Sequence, residues 1–473
     1  MSFLSTNPAT GEIFAEHPEM DTAEVARRLD LADRAFEEWR ETSFAERGAL
    51  MRRLASLFRS KKRPVAEIAS REMGRPIVAA MAEVEKCALV CEYYADNAEK
   101  ILAPAPVDVP TLRSGPRPSS GKDEGVGAGS AESYVRFDPL GIVLAVMPWN
   151  FAYWQVMRFA APALMAGNIG LLKHASNVQG CGIALEELFR EAGFPTGAFQ
   201  NLAIRPSGVE AVLRDRRVRA ATLTGSERAG ASVASICGQE IKKTVLELGG
   251  SDPYIVLGDA DLEACARVAV DARLQNAGQS CIAAKRFVVV GAVHDRFVAL
   301  LKERFEKVVV GDPLDEKTTM GPLSTEGGLA DIERQVSASL AAGAKLVCGG
   351  VRAPGPGWFY EPTILDGVKK GMPAYDEETF GPVAAVISVA DEDEAIMVAN
   401  DTEFGLGASL WTKDVAKAKR IAGRLNAGFV AINGMVRSDP RLPFGGIGKS
   451  GYGRELSDYG IKEFVNIKTV VVN

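Results

Sequence analysis

The first hundred residues place hydrophobic positions at the 3.6-residue period of amphipathic helices. Asp21 precedes the first such segment and Glu24 follows three positions later, which is typical of a helix N-terminus. Apolar side chains then recur on one predicted face, namely Val25, Leu29, Ala32, Phe36 and Trp39. The same period predicts two further helices, over 44–60 and 77–102.

Two cysteines, Cys87 and Cys91, are separated by one turn of the last of these helices. Two thiols at this spacing can share a metal ion, but the sequence has no second cysteine pair and no histidine nearby. We therefore expect both thiols to be buried in a helix interface.

Short apolar segments then alternate with helical ones, which predicts an α/β fold with a doubly wound parallel sheet. The predicted strands of this block are 142–147, 169–173, 199–203, 218–223 and 244–248. The predicted helices between the first of them are 154–166 and 178–192. Ligands of such sheets bind at the carboxyl ends of the strands. Segments 148–150, 173–176 and 224–226 follow strands there, so we expect them to lie near a ligand.

Three segments flank or follow this block. A Pro-, Gly- and Ser-rich stretch over 104–133 predicts a long hairpin, with 107–111 and 133–137 as its arms and 112–131 at its tip. A second alternating block runs from about residue 252 to about residue 436. The hydrophobic segment 464–472 has no neighbouring strand in sequence, so we expect it to pair with a distant segment or with another subunit.

Composition narrows the class of protein. A length of 473 residues predicts about three structural units, and a net charge of −6 gives no global attraction to nucleic acid or to an anionic membrane. No apolar stretch approaches the roughly 18 residues of a membrane span, and the polar N-terminus does not resemble a targeting segment. Seven cysteines, an odd number, then indicate reduced thiols in a cytoplasmic compartment, and three histidines exclude a His-rich metal centre.

Glycine spacing offers one misleading signal. Gly446, Gly448 and Gly451 match the dinucleotide-binding pattern G-x-G-x-x-G. They follow Pro443-Phe444 instead of a strand that opens a βαβ unit, so we interpret them as loop glycines.

Two segments present candidate reactive side chains. Asn276-Ala-Gly-Gln-Ser-Cys281 is a glycine-containing turn that leads into a cysteine, and such a turn gives a thiolate access and a positive potential. A buried structural thiol is the commoner explanation of a single cysteine. Glu247 ends an apolar strand and precedes two glycines; partial burial there raises the pKa of a carboxyl and suits a general base. A strand-end salt bridge explains Glu247 equally well.

Two further segments present polar groups at strand ends. The amide of Asn150 can point at a developing oxyanion, although asparagine is also a common turn residue. Lys173 directly follows a buried strand, where it can bind ribose or phosphate oxygens or remain an ordinary solvated lysine.

Taken together, the motifs resemble the aldehyde dehydrogenase superfamily along nearly the whole chain. The matching segments, in the order and at the spacing of that family, are Pro148-Trp149-Asn150, Leu223-Thr-Gly225-Ser226, Glu247-Leu248-Gly249-Gly250, Gly278-Gln-Ser-Cys281, Glu378-Thr-Phe380-Gly-Pro382 and Pro443-Phe444-Gly-Gly. Six motifs in register favour the reactive interpretations of Cys281 and Glu247 over the structural ones.

The resemblance implies a site and a mechanism. Cys281 attacks an aldehyde, Asn150 holds the oxyanion and Glu247 activates water to hydrolyse the thioester. The implied cofactor-binding residues are Trp149, Lys173, Ser176, Gly225, Ser226, Leu248, Glu378 and Phe380. NAD-selective members often carry glutamate at position 176, so the small, neutral Ser176 predicts that NADP is preferred and NAD accepted.

Other segments look like the bacterial succinate-semialdehyde dehydrogenase branch of the family. They are 154–162, 173–177 and 448–457. Arg158 lies where that branch places a carboxylate-binding arginine, and Ser438 can add a hydrogen bond. An ion pair on the helix surface is the alternative role of Arg158. The weaker candidates are Arg437 and Arg441, and the departures from the branch are Gln275, in place of a second arginine, and Ala152, in place of a proline.

The resemblance also implies three interleaved regions and a homodimer or homotetramer. Residues 1–106 and 138–246 are expected to form a Rossmann-type cofactor-binding domain and 247–440 an α/β catalytic domain. Residues 107–137 and 455–473 are expected to form a small β oligomerisation region. No metal, nucleic-acid or membrane partner is expected.

Four alternatives to this semialdehyde dehydrogenase remain open. They are a broad-specificity aliphatic or aromatic aldehyde dehydrogenase, a CoA-acylating enzyme, a non-enzymatic homologue and a cysteine hydrolase. Glu247 argues against CoA acylation, the presence of both Cys281 and Glu247 argues against a non-enzymatic protein, and the placement of the histidines argues against a Cys–His pair.

Overall fold

The computed structural model describes residues 2–108 and 132–472. The predicted hairpin tip, 112–131, therefore lies outside the described residues. The helices of the described chain are α1 (Thr22–Trp39), α2 (Phe44–Ser60), α3 (Lys62–Met73), α4 (Ile77–Ile101), α5 (Trp154–Met165), α6 (Gln179–Ala192), α7 (Val209–Arg214), α8 (Glu227–Gln239), α9 (Leu262–Leu274), α10 (Gly291–Phe305), α11 (Glu326–Ala341), α12 (Pro373–Asp376), α13 (Glu392–Asn400), α14 (Val415–Ala422) and α15 (Ser457–Ile461).

The strands belong to four sheets. In chain order they are β1 (Ser2–Thr6), β2 (Ile13–Pro18), β3 (Ala105–Pro106), β4 (Glu132–Pro139), β5 (Ile142–Met147), β6 (Ile169–His174), β7 (Phe199–Asn201), β8 (Val218–Thr224), β9 (Lys243–Glu247), β10 (Asp252–Val256), β11 (Ala284–Val290), β12 (Lys345–Cys348), β13 (Thr363–Asp366), β14 (Val383–Val389), β15 (Gly407–Trp411), β16 (Phe429–Ile432), β17 (Gly451–Tyr452) and β18 (Val465–Val472).

The N-terminal helices form where the periodicity predicts them. The Asp21 side chain accepts a hydrogen bond of 2.8 Å from the backbone N–H of Glu24, so the predicted cap of α1 is present. Leu29, Ala32 and Trp39 are buried on the predicted face. Within α4, Cys87 and Cys91 are fully buried in the core, which confirms the interpretation of this pair as packing residues.

A six-stranded sheet, in the order β17-β9-β8-β5-β6-β7, confirms the predicted parallel arrangement. All neighbouring strands from β9 to β7 run parallel, and the short strand β17 runs antiparallel to β9. In register, Met147 pairs with His174 and Thr224 with Glu247, so these strands end at a common edge. Motif residues that are far apart in sequence therefore lie along this edge.

A second, seven-stranded sheet has the order β12-β13-β14-β11-β10-β15-β16 and is parallel except at β12. Its hydrophobic core is separate from the core around the first sheet, and the division falls between Leu248 and Tyr254. The chain thus crosses from one α/β unit to the other directly after Glu247.

A small three-stranded sheet, β18-β4-β3, holds the C-terminal segment. Strand β18 pairs antiparallel with β4 of the same chain along its whole length, from Val465 opposite Pro139 to Val472 opposite Glu132. The expectation that segment 464–472 pairs with a distant segment is therefore confirmed. Of the first hairpin arm, predicted at 107–111, residues 109–111 lie outside the described residues. The backbone N–H of Val107 donates to the Ser133 carbonyl of β4 at 2.8 Å, next to the pairing of Ala105–Pro106 with the same strand.

Gly446, Gly448 and Gly451 do not open a βαβ unit. Gly448 begins a short 3-10 turn and Gly451 begins β17, which confirms their interpretation as loop glycines. Among the described residues no helix is long and apolar enough to cross a bilayer.

Candidate active site

The predicted nucleophile lies in a tightly bent loop between α9 and β11. Asn276, Ala277 and Gly278 all have positive φ, at 53°, 53° and 73°. At Gly278 a Cβ would also overlap the carbonyl oxygen of Gly381, so no other residue fits this position. The strained turn presents the half-buried Cys281 to two adjoining cavities.

Two buried cations that the sequence did not single out hold this loop. Lys285 Nζ donates to the carbonyl oxygens of Ser280 at 3.0 Å and Cys281 at 2.8 Å, and lies 3.3 Å from a carboxylate oxygen of Glu378. The guanidinium of Arg273 donates to the Gly278 carbonyl at 2.7 Å. These bonds satisfy loop carbonyls that would otherwise be buried without partners.

The thiol of Cys281 is protonated in this environment at neutral pH. Burial raises the pKa of Cys281 to about 12, and the nearby charges of Arg158 and Lys285 only partly oppose that effect. Attack by the sulfur therefore requires its proton to leave for another group or the local field to change.

Asn150 lies beside the nucleophile, as the motif predicts. It is buried and lines one of the two cavities together with Cys281. Its side-chain Nδ2 donates a 3.1 Å hydrogen bond to the carbonyl of Gln279, two residues before the nucleophile. Its backbone carbonyl accepts a 2.8 Å hydrogen bond from the Asn276 side chain. The amide is thus fixed against the loop that carries the thiol.

Glu247 is buried in a cluster of charges behind the wall of the cavities. Neither carboxylate oxygen has a hydrogen-bond partner among the described residues. Burial raises its pKa well above the usual carboxyl range, the nearby Glu455 raises it further, and Arg158 and Arg454 oppose the rise. The raised pKa agrees with the sequence expectation, but the described position of Glu247 does not line the large cavity.

Arg158 lies between this cluster and the large cavity. Its Nε is 2.7 Å from a carboxylate oxygen of Glu455, both side chains are buried, and its guanidinium stacks 4.5 Å from the ring centroid of Phe444. An ion pair on the helix surface was the alternative role of Arg158; the pair that the structure contains is buried instead. Because Arg158 also lines the cavity, the pair does not exclude contact with a ligand.

The large cavity has a volume of about 750 Å³ and leads to Cys281. Ser438, Arg437 and Gln275 line it as well, whereas Arg441 does not and instead pairs with Asp439 at 2.7 Å. The Nε2 atom of Gln275 is buried without a hydrogen-bond partner among the described residues. Ala152, which stands where relatives in this branch carry a proline, is fully buried and does not line the cavity.

The second cavity, of about 270 Å³, lies at the carboxyl edge of the first sheet. Six of the predicted cofactor-binding residues line it, namely Trp149, Gly225, Ser226, Leu248, Glu378 and Phe380. Trp149 and Phe380 meet edge to face at 5.9 Å, and Ser226 caps the N-terminus of α8. Cys281 lines this cavity too, so it connects the two.

The lining of this cavity suits part of a dinucleotide, a ribose and a pyrophosphate. The hydroxyl of Thr224 and one carboxylate oxygen of Glu227 are buried at its edge without partners in the described chain. A Cβ at Gly249 would lie 2.5 Å from Glu227 and 2.7 Å from Glu378, so glycine keeps the cavity floor open. Unpaired polar atoms, an aromatic wall and a helix N-terminus are what a ribose and a pyrophosphate require.

Lys173 and Ser176 lie outside this cavity, at the end of the adjacent strand β6. Lys173 is buried, burial lowers its pKa, and it has no carboxylate partner among the described residues. Ser176 is half-buried and lies three residues after Lys173 in the chain. A buried amine without a counter-charge suits an anionic ligand group.

The described residues contain no group of three or more histidine, cysteine, aspartate or glutamate side chains placed to hold a metal ion.

Comparison with known proteins agrees with these motifs. The model of the aldehyde dehydrogenase family matches residues 2–470. The chain is 50% identical to succinate-semialdehyde dehydrogenase [NADP(+)] 1 of Mycobacterium tuberculosis, with 99% of each chain covered. It is also 50% identical to a probable succinate-semialdehyde dehydrogenase [NADP(+)] of Synechocystis, again with 99% of each chain covered.

Solved structures share the fold. The structure of succinic semialdehyde dehydrogenase from Streptococcus pyogenes, in complex with NADP+, superposes with a TM-score of 0.93 at 39% identity and covers 99% of each chain. The match of motifs, fold and full-length sequence confirms the resemblance. The chain belongs to the aldehyde dehydrogenase family.

Proposed function

We propose that the protein oxidises succinate semialdehyde to succinate and prefers NADP to NAD. The observation that carries this proposal is that Cys281 connects a cation-lined cavity of about 750 Å³ with a second cavity whose lining suits the ribose and pyrophosphate of a dinucleotide. Relatives at 50% identity that are named as NADP-dependent succinate-semialdehyde dehydrogenases support the same substrate and cofactor.

The first chemical step joins Cys281 to the aldehyde. The Cys281 thiol releases its proton to solvent, its sulfur attacks the carbonyl carbon, and the carbonyl oxygen becomes an oxyanion. The Nδ2 group of Asn150, now bonded to the Gln279 carbonyl at 3.1 Å, and the backbone N–H of Cys281 donate to that oxygen. Lys285 and Arg273 keep the loop in the geometry that this attack needs.

When bound, a nicotinamide cofactor would supply the oxidation as the hydride acceptor, and Cys281 would then carry a thioester. Trp149, Gly225, Ser226, Leu248, Glu378 and Phe380 are proposed to hold its nicotinamide and pyrophosphate portions, and Lys173 and Ser176 its adenine ribose. Glu378 is already positioned by Lys285 and by the backbone N–H of Gly250 at 3.0 Å. It can accept hydrogen bonds from ribose hydroxyls with its remaining lone pairs.

Glu247 is proposed to remove a proton from the water that hydrolyses the thioester. Since its carboxylate lies behind the cavity wall, it has to reach that water by side-chain rotation or through a second water. Its two unpartnered oxygens leave it free to do either. Hydrolysis by Glu247 distinguishes this proposal from a CoA-acylating enzyme.

The substrate is tested by steady-state kinetics with succinate semialdehyde and with pentanal, a neutral aldehyde of similar length. We expect kcat/KM for succinate semialdehyde to exceed that for pentanal by at least about tenfold, the contribution of one charge-assisted hydrogen bond. Equal values would favour a broad-specificity aldehyde dehydrogenase, which the pairing of Arg158 with Glu455 also permits. Analysis of the product with and without CoA tests hydrolysis: succinate should form in both cases, whereas a CoA-acylating enzyme would form succinyl-CoA when CoA is present.

Cofactor choice gives a prediction at Ser176. Ser176→Glu should lower kcat/KM for NADP by about tenfold to a hundredfold, because the new carboxylate repels a 2′-phosphate and competes for Lys173. The value for NAD should stay within about twofold of the wild type. Ser176→Ala is the matched control and should keep the preference for NADP. Equal loss with both cofactors would contradict the placement of the 2′-phosphate.

The pH dependence of thioester hydrolysis is a second prediction. Because the pKa of Glu247 is raised, its carboxylate form is lost as the pH falls through a value well above the ordinary 4.3 or so. Hydrolysis should therefore slow at a pH where ordinary carboxyls are still ionised. Single-turnover decay of the acylated enzyme between about pH 5 and pH 9 isolates this group, since Cys281 is then blocked. A rate of hydrolysis that stays constant from pH 9 down to pH 5 would contradict the raised pKa of Glu247.

The division of the chain into domains, its oligomerisation and its cytoplasmic location also belong to this proposal. The two cores divide after Leu248, which supports a cofactor-binding domain over 1–106 and 138–246 and a catalytic domain over 247–440. Strands β3, β4 and β18 are proposed as the oligomerisation region of a cytoplasmic homodimer or homotetramer. Exposed apolar side chains on β18, Ile467 and Val471, support an interface there.

A further inference from the structure

Lys86 brings an amine into the large cavity from helix α4. Its Nζ donates a 2.8 Å hydrogen bond to the Ser438 hydroxyl oxygen and lies 4.1 Å from the ring centroid of Trp154. The Trp154 indole N–H donates to the same hydroxyl at 2.9 Å. Residues from three distant parts of the chain therefore meet at one point on the cavity wall.

The hydroxyl group of Ser438 accepts two hydrogen bonds but donates none among the described residues. Its oxygen accepts from both Lys86 and Trp154, which occupies its two lone pairs. The O–H donates to no group in the described part of the chain, and Ser438 lines the cavity. The proton is thus available to an acceptor that enters the cavity.

Lys86 also differs from two other cavity cations, Arg75 and Arg158, in its charge balance. Arg75 lies 3.3 Å from a carboxylate of Glu83, and Arg158 lies 2.7 Å from one of Glu455. Lys86 forms no ion pair with any described residue, although Glu83 and Asp439 are near enough to interact with its charge. Arg437 likewise forms no ion pair with a described residue, but its side chain is exposed whereas Lys86 is half-buried. Burial lowers the pKa of Lys86 to about 8, and the charges of Arg158 and Arg75 add to that effect.

We propose that Lys86 and Ser438 together bind the distal carboxylate of the aldehyde substrate. A carboxylate can accept one hydrogen bond from the Lys86 ammonium and one from the Ser438 hydroxyl, and it supplies the counter-charge that Lys86 lacks. This inference rests on the proposed function and adds a specificity residue to it. Arg158, whose charge is shared with Glu455, is then a secondary contact.

The inference makes substrate binding depend on the protonation of Lys86. The groups that face this amine are Glu83, Arg75, Cys87, Arg158 and Asp439. As the pH rises through about 8, Lys86 loses its proton and with it the attraction for a carboxylate. KM for succinate semialdehyde should rise over that range, and KM for pentanal should not.

The test compares Lys86→Met and Lys86→Arg with the wild type, using both aldehydes. Lys86→Met should raise KM for succinate semialdehyde by about tenfold to a hundredfold, with kcat within about threefold, and leave pentanal kinetics within about twofold. Lys86→Arg should restore most of the affinity and remove the rise in KM above pH 8, because arginine keeps its charge. Lys100→Met, on the exposed last turn of the same helix, is the control and should change neither substrate.

Three results would overturn the inference. Equal losses for both aldehydes would make Lys86 a structural support, and unchanged KM in Lys86→Met would remove it from the site. A KM that rises with pH as steeply in Lys86→Arg as in the wild type would do the same. If the wild type itself does not prefer succinate semialdehyde to pentanal, the proposed function fails as well. If that preference is present and survives in Lys86→Met, only the role of Lys86 fails.

Discussion

Replacing Cys281 with alanine should lower aldehyde oxidation by at least about 10⁴-fold, because no other thiol among the described residues lines either cavity and only a thiol gives the thioester. The six other thiols line neither cavity: Cys348 lies on β12 of the second sheet, and the remaining five are fully buried, namely Cys87, Cys91, Cys181, Cys237 and Cys265. The loss should appear in kcat, since the cavities that bind aldehyde and cofactor are otherwise unchanged. NADPH absorbance with succinate semialdehyde measures it.

A matched variant separates this effect from general damage. Cys348→Ala removes another half-buried thiol and should keep activity within about twofold of the wild type. Iodoacetamide should inactivate the wild type and Cys348→Ala alike. The wild type should be labelled at Cys281, and NADP should slow the labelling because both cavities meet at this sulfur. Substantial activity in Cys281→Ala would exclude the covalent mechanism.

Local periodicity was sufficient for much of the fold. Strand β5 occupies 142–147 and helix α2 occupies 44–60, as predicted, because an uninterrupted apolar run and a capped amphipathic segment are signals within a few residues. The pairing of β18 with β4 could be expected only as a distant contact. Its register depends on which strand edge the folded chain leaves open, and a linear pattern does not contain that information.

The residues of the candidate site likewise fall into those that a local sequence motif predicts and those that it does not. Cys281, Asn150 and six of the eight predicted cofactor residues were found because each belongs to a local sequence motif, and the fold brings these motifs together around the second cavity. Lys86, Arg273 and Lys285 were missed, since each is a single cation without a motif. For Lys285 a signal existed: it stands inside the apolar strand β11, where a charge has to find partners.

The position of Arg158 in the sequence does not by itself decide whether it binds a substrate carboxylate. The sequence offered a carboxylate ligand or a surface ion pair, and the structure contains a buried pair with Glu455 at the cavity wall. The partner lies in the segment that follows β17, far along the chain. Its charge changes how much attraction the arginine has left for a substrate, which is why the unpaired Lys86 gains importance.

The second large effect is expected for Glu247→Gln. The amide has the same shape but cannot take a proton from water, so kcat should fall by about 10²- to 10⁴-fold. Hydride transfer precedes the step that needs this base, so the first turnover should still occur. Rapid mixing should then show a burst of NADPH that approaches one equivalent per Cys281, followed by a slow steady state.

The burst is what distinguishes loss of the base from loss of the fold or of the nucleophile. Glu377→Gln, beside the site residue Glu378 but paired with Arg334 on the surface, should show normal turnover. Cys281→Ala should show no burst, because no thioester forms. Removing the Glu247 charge also relieves its repulsion with Glu455, so unfolding should not become easier. A variant that is slow in the first turnover would assign Glu247 to thiol activation, which the raised pKa of Cys281 would then explain.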